Sequence, residues 1–536
     1  MAFDYVVIGA GTAGCVVAGR LAEQDKTARI LLVEAGGRAG PIASRVPAAS
    51  AGLLGHRRFD WRYPTEPDAS RDGRSEPWTA GRLVGGTGAL NGMLFVRGSV
   101  ADYDAWEAAG SPGWRHADVL PSFRSIEHAS RGDPAWRGFE GPWPVAPTRT
   151  EHPLCAALFD SYHAAGISRT DDYNGAVFEG AGLAQVTQRG GLRVTTAQAF
   201  LPLARSSGRL RIAPDTACTR LLIENGRCVG AALSRKGSTE TVAARQAVVV
   251  CAGAIGSPAL LLRSGIGADE ELAALGVRPT LSLPGVGRSL MDHPVALMQF
   301  AVNCSTYQME KRGLAAARHL ADFLGSRRGV LASPHAQVLA HVRTRPDLAT
   351  PDIQIAFYPM AFERTENGVK TASRSSILFS VTACQSHSRG RVALRTADPR
   401  ELPRVELPLL DGSADVATLI RGCRLVERVL SAGPMKEFVE ERLEPSPAVE
   451  SDADWEAWLR AKGAVLAYHA SGTCRMGPEN DAGAVVDASL RVRGIDGLRV
   501  ADTSIMPSLV SANTQAAAAM IGARAATMLL DQTTTA

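Results

Sequence analysis

The sequence has no long uninterrupted apolar run. Its apolar stretches are shorter than the roughly 20 residues that a membrane-spanning helix needs, although 45% of the 536 residues are hydrophobic. It opens on "MAFDYVVIGAG", where a strand-like run begins at once and leaves no space for a secretory leader. We therefore expect a soluble protein without a membrane span, located in the cytoplasm.

A concentrated positive charge is also missing. The formal net charge is +4, the basic residues are scattered, and no stripe of basic residues interleaved with aromatic residues occurs. Nucleic-acid binding is therefore not expected. The nine cysteines are dispersed and odd in number, and several lie within apolar strand-like runs. This distribution predicts buried, reduced thiols rather than a disulfide framework.

The strongest pattern is at the N-terminus, in "FDYVVIGAGTAGCVVAGRLAE". The run "YVVI" is typical of a buried parallel strand, and Gly9, Gly11 and Gly14 follow it in G-x-G-x-x-G spacing. A helical pattern and a second strand lead to Glu34. The glycines allow a tight turn and let a pyrophosphate approach the helix N-terminus, and Glu34 can bind a ribose diol. The segment predicts a βαβ dinucleotide-binding unit.

Similar elements recur in the middle and at the end of the chain, which is long enough for two or three domains. Residues 244–267 indicate a buried strand, a glycine-rich turn and a helix, and residues 497–507 repeat the strand and turn. Alternating segments between about 350 and 410 indicate an antiparallel sheet. We predict an α/β (α+β overall) fold with a discontinuous nucleotide-binding domain (1–150, 205–295 and 464–536) and an inserted substrate-binding domain (151–204 and 296–463).

Two further stretches place polar residues among small ones. "GRLVGGTGALNGMLFVRG" (81–98) surrounds Asn91 with glycines, and such a backbone can lie against a flat cofactor or make a tight crossover. "AVLAYHASGTCRMG" (464–477) carries His469 in a turn. Cys474 is the only soft ligand nearby and no serine nucleophile elbow surrounds the histidine. No metal site is predicted, and a histidine there suits proton transfer.

In their order along the chain, these motifs resemble those of the glucose–methanol–choline (GMC) oxidoreductases. Residues 81–98 resemble the first family signature, residues 253–267 the second, and "HASGTCRMG" the C-terminal histidine motif. "VSANTQAA" resembles the segment that carries the second active-site residue, here Asn513. The resemblance implies FAD, a Rossmann-like FAD-binding domain, and a substrate domain built on a six-stranded antiparallel sheet with helices.

The resemblance also implies which residues hold the cofactor. The AMP half and the pyrophosphate would contact Gly9, Gly11, Thr12, Ala13, Gly14, Glu34, Ala35 and Trp61. The ribityl chain and the isoalloxazine ring would contact Arg82, Gly85, Gly86, Thr87, Asn91, Gly92, Met93 and Leu94. Further cofactor contacts would come from Cys218, Ala252, Asp502, Thr503 and Thr514. Members with covalent flavin often carry His in the first signature, where this chain has Leu90, so we expect non-covalent FAD.

By the same resemblance, the enzyme would oxidise a small primary alcohol, with aromatic or hydroxymethyl-type alcohols favoured, to the aldehyde. His469 would accept the hydroxyl proton while hydride passes to flavin N5, and Asn513 would bind the same oxygen. Oxygen, a quinone or a dye would accept the electrons. The alternatives are a sugar or choline-type alcohol dehydrogenase, a hydroxynitrile lyase, and a flavin-binding protein without catalysis.

Other residues near these motifs are expected to be structural. Cys474 is interpreted as a packed thiol, and Asp292 and His293, in "MDHP", as residues that shape a loop. Met360 and Phe357 are expected to line the substrate cavity, because they lie in the inserted sheet.

Overall fold

The computed structural model describes residues 2–38, 40–205, 208–311, 313–365 and 368–534. Its helices are α1 (Thr12–Gln24), α2 (Val100–Ala108), α3 (His116–Ile126), α4 (Leu154–Ala164), α5 (Thr196–Arg205), α6 (Gly253–Arg263), α7 (Asp269–Ala274), α8 (Gly313–Ser326), α9 (Ser413–Ala432), α10 (Asp452–Trp458) and α11 (Gln515–Thr534). None of the described helices has both the length and the apolar character needed to cross a bilayer.

The strands are β1 (Ala2–Ile8), β2 (Ile30–Val33), β3 (Glu127–Ala129), β4 (Trp143–Pro147), β5 (Gly180–Leu183), β6 (Gln185–Val186), β7 (Gln188–Arg189), β8 (Leu192–Arg193), β9 (Leu210–Ala213), β10 (Ala217–Glu224), β11 (Arg227–Arg235), β12 (Ser238–Val250), β13 (Ile266–Gly267), β14 (Leu281–Ser282), β15 (Arg288–Leu290), β16 (Pro294–Val302), β17 (Val338–Val342), β18 (Ile353–Tyr358), β19 (Phe362–Thr365), β20 (Gly368–Thr371), β21 (Ser376–Ala383), β22 (Gly390–Ala393), β23 (Arg404–Glu406), β24 (Val439–Glu444), β25 (Ala464–Leu466) and β26 (Leu498–Val500).

The first sheet has the order β10–β11–β12–β1–β2–β9, with β26 beside β12. The pairs among β1, β2, β9, β12 and β26 are parallel, and β10 and β11 are antiparallel additions. Ile8 lies level with Val33 and Val250, and Val250 lies level with Val500. The residues that follow these strand ends therefore meet at one edge of the sheet, where open α/β sheets bind ligands.

The second sheet has the order β24–β16–β21–β18–β17–β5, and its strand pairs are antiparallel. These are the six strands expected, and the short β25 adds a seventh by pairing with β16. That pairing sets Leu466 opposite Pro294. It therefore brings the loop after Leu466, which carries His469, next to Asp292 and His293, which precede Pro294.

Each of the two large sheets has its own hydrophobic core. The core of the first sheet includes residues of α1, α5 and α11, and the core of the second includes residues of α4 and α9. The predicted division placed residues 151–204 in the substrate domain. In the structure this segment contributes β5 to the second sheet, while α5 packs on α1 beside the first. All nine cysteines lie in the described part of the chain and are free thiols.

Candidate active site

A cavity of about 520 Å³ lies where the strand ends of the first sheet face the second sheet. This volume is in the usual range for a small-molecule site. Most of the predicted cofactor and catalytic residues line it: Gly9, Gly11, Thr12, Ala13, Glu34, Ala35, Trp61, Thr87, Asn91, Gly92, Leu94, Cys218, Ala252, His469, Asp502, Thr503, Asn513 and Thr514. The structure thus brings together N-terminal, central and C-terminal motifs that lie far apart in the sequence.

The other predicted cofactor residues lie behind the cavity wall. They are Gly14, Arg82, Gly85, Gly86 and Met93, and they are absent from the lining. A Cβ on Gly14 would lie 1.9 Å from the carbonyl oxygen of Gly9, so this glycine lets α1 pack closely on the turn. The Arg82 guanidinium lies 4.7 Å from the centre of the Trp61 ring. These residues support the wall rather than forming it.

The nucleotide end of the cavity fits FAD. Gly9 has φ +101°, and a Cβ there would lie 2.4 Å from the Cys251 carbonyl oxygen, so the turn requires glycine. α1 begins at Thr12, its N-cap is Gly11 without a side-chain cap, and a Cβ on Gly11 would meet no atom within 4 Å. The helix N-terminus therefore offers unpaired N–H groups to open space, as a pyrophosphate requires. Leu90 lines the cavity and has no nucleophilic atom, so this side chain cannot bond to the flavin, and non-covalent binding stays a prediction.

Glu34 is held in place by backbone groups. Its Oε2 accepts the N–H of Ala10 at 3.0 Å, and its Oε1 accepts the N–H of Gly36 at 2.8 Å. Burial raises the pKa of this carboxyl to about 7, and the two N–H donors act in the opposite direction. Each carboxylate oxygen keeps a lone pair for a further donor. Glu34 is therefore positioned to accept hydrogen bonds from ribose hydroxyls.

His469 and Asn513 meet at another part of the cavity wall. His469 Nε2 lies 3.2 Å from Asn513 Nδ2, and both residues are partly exposed to the cavity. Burial lowers the pKa of His469 well below its ordinary value. Gly472, three residues on, has φ +85°, and a Cβ there would lie 2.5 Å from the Ser289 carbonyl oxygen. The small residues after His469 therefore allow its loop to pass close to neighbouring backbone.

Asp292 and His293 lie beneath this pair. The Asp292 carboxylate accepts the backbone N–H groups of Tyr468 at 3.1 Å and His469 at 2.7 Å. The Nδ1 atoms of His293 and His469 are 2.9 Å apart, and His293 Nε2 lies 3.1 Å from the Val510 carbonyl oxygen. Two nitrogens that share a tetrahedral metal ion would be roughly 3.3 Å apart, so this spacing fits a direct hydrogen bond better. The sequence predicted that these two residues shape a loop, but it gave no sign of their contacts with the loops that carry His469 and Asn513.

Gln354 and His341 complete the polar contacts around Asn513. Gln354 Nε2 donates to Asn513 Oδ1 at 3.3 Å, and Gln354 Oε1 lies 3.2 Å from His341 Nε2. Burial lowers the pKa of His341 to about 4, so this imidazole is neutral and its Nε2–H donates. With Oδ1 occupied in this way, the amide nitrogen of Asn513 faces His469. The polar residue within the apolar run "DIQIAFY" was the one sequence signal for this role.

The prediction that Met360 and Phe357 line the cavity is wrong. Phe357 is fully buried in the core of the second sheet, and neither residue is part of the cavity lining. Its neighbour Tyr358 lines the cavity instead. Successive residues of a strand point to opposite faces, so Gln354 and Tyr358 share the face of β18 that meets the active site. Cys474 is a buried thiol, as expected, and burial raises its pKa well above the ordinary value.

Comparisons with known proteins agree with this geometry. The family profile described as GMC oxidoreductase matches the chain in two parts, over residues 3–295 and 386–522. The oxygen-dependent choline dehydrogenase of Rhizobium johnstonii is 37% identical over 536 residues, covering 99% of this chain and 96% of the relative. The mitochondrial choline dehydrogenase of Homo sapiens is 35% identical over 538 residues, covering 99% of this chain and 90% of the relative.

Among solved structures, pyridoxine 4-oxidase from Mesorbium loti superposes with a TM-score of 0.88 and 29% identity over 98% of both chains. The profile matches cover both the strand ends that carry the dinucleotide fingerprint and the segments that carry His469 and Asn513. The chain therefore belongs to the GMC oxidoreductase family and is an FAD-dependent oxidoreductase that acts on CH–OH donors.

Proposed function

We propose that the enzyme oxidises a neutral primary alcohol, aromatic or hydroxymethyl-type, to the aldehyde, with His469 as the base. The observation that carries the proposal is that His469 Nε2 and Asn513 Nδ2 face the cavity 3.2 Å apart. A hydroxyl oxygen placed beside them can give its proton to Nε2 and accept a hydrogen bond from the amide. Bound FAD supplies the acceptor for the hydride that leaves the carbinol carbon.

The protonation state of His469 supports this role. Because burial lowers its pKa well below 6.5, the imidazole is neutral at pH 7 and can accept a proton. Removal of the hydroxyl proton matters because hydride departure from an undissociated alcohol would leave positive charge on the product oxygen. The amide of Asn513 then holds the substrate oxygen close to the base, and this orientation of the reacting groups accelerates the reaction.

The charges around the cavity favour a neutral substrate. Within the described lining, the acidic residues are Glu34, Glu401 and Asp502. Glu34 belongs to the nucleotide fingerprint. The Asp502 carboxylate is occupied by the Ser257 hydroxyl at 2.6 Å and by two backbone N–H groups. Asp292, beneath His469, is likewise occupied by backbone N–H groups. Glu401, the remaining acid of the lining, is exposed to solvent. A quaternary ammonium group beside His469 and Asn513 would therefore lack a buried, unoccupied carboxylate among these residues to balance its charge.

A panel of alcohols tests this proposal on the FAD-loaded enzyme. Benzyl alcohols, hydroxymethyl-furans, choline and a sugar are each mixed anaerobically with the protein, and bleaching of the flavin absorbance is followed. We expect the ring-bearing neutral alcohols to bleach the flavin fastest. If choline bleaches it faster than every neutral alcohol in the panel, the assignment of a neutral substrate is wrong.

Two alternatives remain for the same site. A choline-type dehydrogenase is supported by the names of the choline dehydrogenase relatives. The same panel of alcohols tests this alternative and a sugar dehydrogenase. Peroxide formation in air, compared with reduction of a quinone or dye, identifies the electron acceptor. Release of cyanide from mandelonitrile would instead indicate hydroxynitrile lyase activity. The cytoplasmic location stays a prediction from the sequence.

A further inference from the structure

His293 lies between the two segments that carry the catalytic residues. One ring nitrogen, Nδ1, is 2.9 Å from Nδ1 of His469, and the other, Nε2, is 3.1 Å from the carbonyl oxygen of Val510. Val510 lies three residues before Asn513 in the "LVSAN" segment. His293 itself is almost fully buried. A single side chain therefore contacts the loop of the base and the loop of the substrate-orienting amide.

These contacts determine which nitrogen of each ring carries hydrogen. A carbonyl oxygen only accepts hydrogen bonds, so His293 Nε2 must be the donor to Val510. Burial lowers the pKa of His293 to about 4, although the carbonyls of Val510 and Cys384 act in the opposite direction, so the ring is neutral at pH 7. A neutral imidazole has one N–H. His293 Nδ1 is therefore an acceptor, and the hydrogen between the two rings belongs to Nδ1 of His469.

The consequence for His469 follows directly. Its neutral ring also has one N–H, which this bond places on Nδ1, so Nε2 carries a lone pair. That nitrogen is the one that faces Asn513 and the cavity. The opposite tautomer would put hydrogen on Nε2, which would then be unable to accept a proton, and would leave two buried acceptor nitrogens facing each other.

We propose that His293 is a positioning residue that holds His469 in the tautomer with hydrogen on Nδ1 and thereby keeps Nε2 available as the base. The inference rests on the proposed function, since it assigns the origin of the base's reactive lone pair. It also explains how the proton gained at Nε2 is tolerated: the charged ring keeps its Nδ1–H bond to a neutral acceptor. The titratable side chain that contacts this histidine pair is Asp292, whose carboxylate accepts backbone N–H groups, whereas Cys384 contacts His293 through its backbone carbonyl.

Two substitutions separate the two contacts of His293. The amide of His293→Asn can place its oxygen near the position of Nδ1 and keep an acceptor for His469. His293→Gln can place its amide nitrogen near Nε2, which keeps the donor to Val510 and removes the acceptor. The matched control is His152→Gln. His152 is also buried, with Nε2 3.1 Å from the Ser305 carbonyl oxygen and Nδ1 accepting an N–H, but it does not contact the catalytic residues.

The readout is the rate of anaerobic flavin reduction as a function of pH, in variants that retain FAD. We expect His293→Gln to lower the plateau of the pH–rate profile by roughly 10- to 100-fold. The acid limb, where the rate falls as His469 becomes protonated, should move to lower pH, because the charged His469 ring loses its hydrogen-bond acceptor. His293→Asn should keep the position of the limb, and His152→Gln should match the wild type. Equal losses in the Gln and Asn variants, or an unchanged rate in His293→Gln, would overturn the proposal.

A direct measurement keeps the proposal testable if both variants fail to fold. Nitrogen-15 NMR of histidine-labelled wild-type holoenzyme distinguishes protonated from unprotonated ring nitrogens, and the His469→Ala spectrum identifies the signals among the 11 histidines. We expect His469 to carry hydrogen on Nδ1, and hydrogen on Nε2 would refute the inference. A normal rate in His469→Ala would refute the proposed function instead, so the two failures are distinguishable.

Discussion

His469 faces two different environments through its two ring nitrogens. Nδ1 points into the protein and meets His293, whereas Nε2 points to the cavity and meets Asn513. The backbone of the same residue is held by Asp292. Both the position and the hydrogen-bonding capacity of the ring are therefore set by groups outside its own loop, as the proposed role of His469 as a base requires.

At this scale we predict that His469→Ala slows anaerobic reduction of bound flavin by roughly 10²–10⁴, or about 3–5 kcal/mol of barrier. Asn513→Ala should slow it less, because it removes orientation and one hydrogen bond but leaves the base. Stopped-flow absorbance with the best alcohol of the panel measures both. His387→Ala is the control, since that ring is largely exposed and pairs with Asp415.

The pH dependence is the second part of this prediction. The pKa of His469 lies well below 6.5, so the base is neutral above that pKa and the wild-type rate should stay on a plateau throughout the neutral range. The rate should fall only as acid protonates Nε2, below pH 6.5. A limb centred above pH 7, or an His469→Ala rate within a few-fold of the wild type, would show that another group is the base.

At the scale of elements, a buried arginine joins the strand pair β7–β8 to segment 81–98, which is predicted to contact the flavin. Arg193 Nη1 donates to the Gly88 carbonyl and to Asn91 Oδ1, and its Nη2 donates to the Asn91 carbonyl and to Ser50 Oγ. No carboxylate is found to pair with Arg193 among the described residues, and burial lowers the pKa of its guanidinium to about 9. The guanidinium therefore acts as a bridge between three segments, and only its planar fork has donors for all of them.

We predict that Arg193→Met weakens FAD retention by roughly 10- to 100-fold. The substitution leaves several hydrogen-bond acceptors of segment 81–98 unpaired, at a cost of about 1–3 kcal/mol. Arg193→Lys keeps the charge but not the fork, and should fall between Met and the wild type. FAD fluorescence released during dialysis measures the effect. Arg189→Met, an exposed position on the same strand pair, is the control. Full retention in Arg193→Met would contradict the bridging role.

Elements that depend on local sequence are those that could be predicted. β1, α1, β2 and Glu34 follow from a pattern within one βαβ unit, and the structure has them in the expected places. The side chains of β18 that face the cavity could not be predicted, because both faces of this strand carry apolar residues and alternation does not distinguish Phe357 from Tyr358. The contact between His293 and His469 joins residues 176 positions apart through the pairing of β16 with β25. A strand of three residues such as β25 is too short to show an alternation of apolar and polar residues in the sequence.

At the scale of the molecule, a buried charge network connects the first 150 residues with the segment 151–204. Glu127 is fully buried and binds both Arg97 and Arg137. Arg137 continues to Asp172 at 2.7 Å and to the side-chain oxygen of Gln185 at 2.9 Å. Arg97 lies near the end of segment 81–98, which is predicted to contact the flavin, while the partners beyond Arg137 lie where the chain enters the second sheet. The Glu127 carboxylate thus supports the junction between segment 81–98 and the second sheet.

We predict that Glu127→Gln lowers the stability of the holoenzyme by roughly 3–5 kcal/mol, because it leaves two buried guanidinium groups with reduced compensation. The matched control is Glu179→Gln. Glu179 pairs with Arg343 at 2.9 Å, but both side chains are more than a third exposed, so its loss should cost at most about 1 kcal/mol. Urea unfolding followed by both tryptophan and flavin fluorescence measures the two effects. If Glu127 supports the junction, FAD release and loss of tertiary structure should shift together to lower urea in Glu127→Gln. A shift no larger than that of Glu179→Gln would mean that the apolar cores alone hold the two parts of the molecule together.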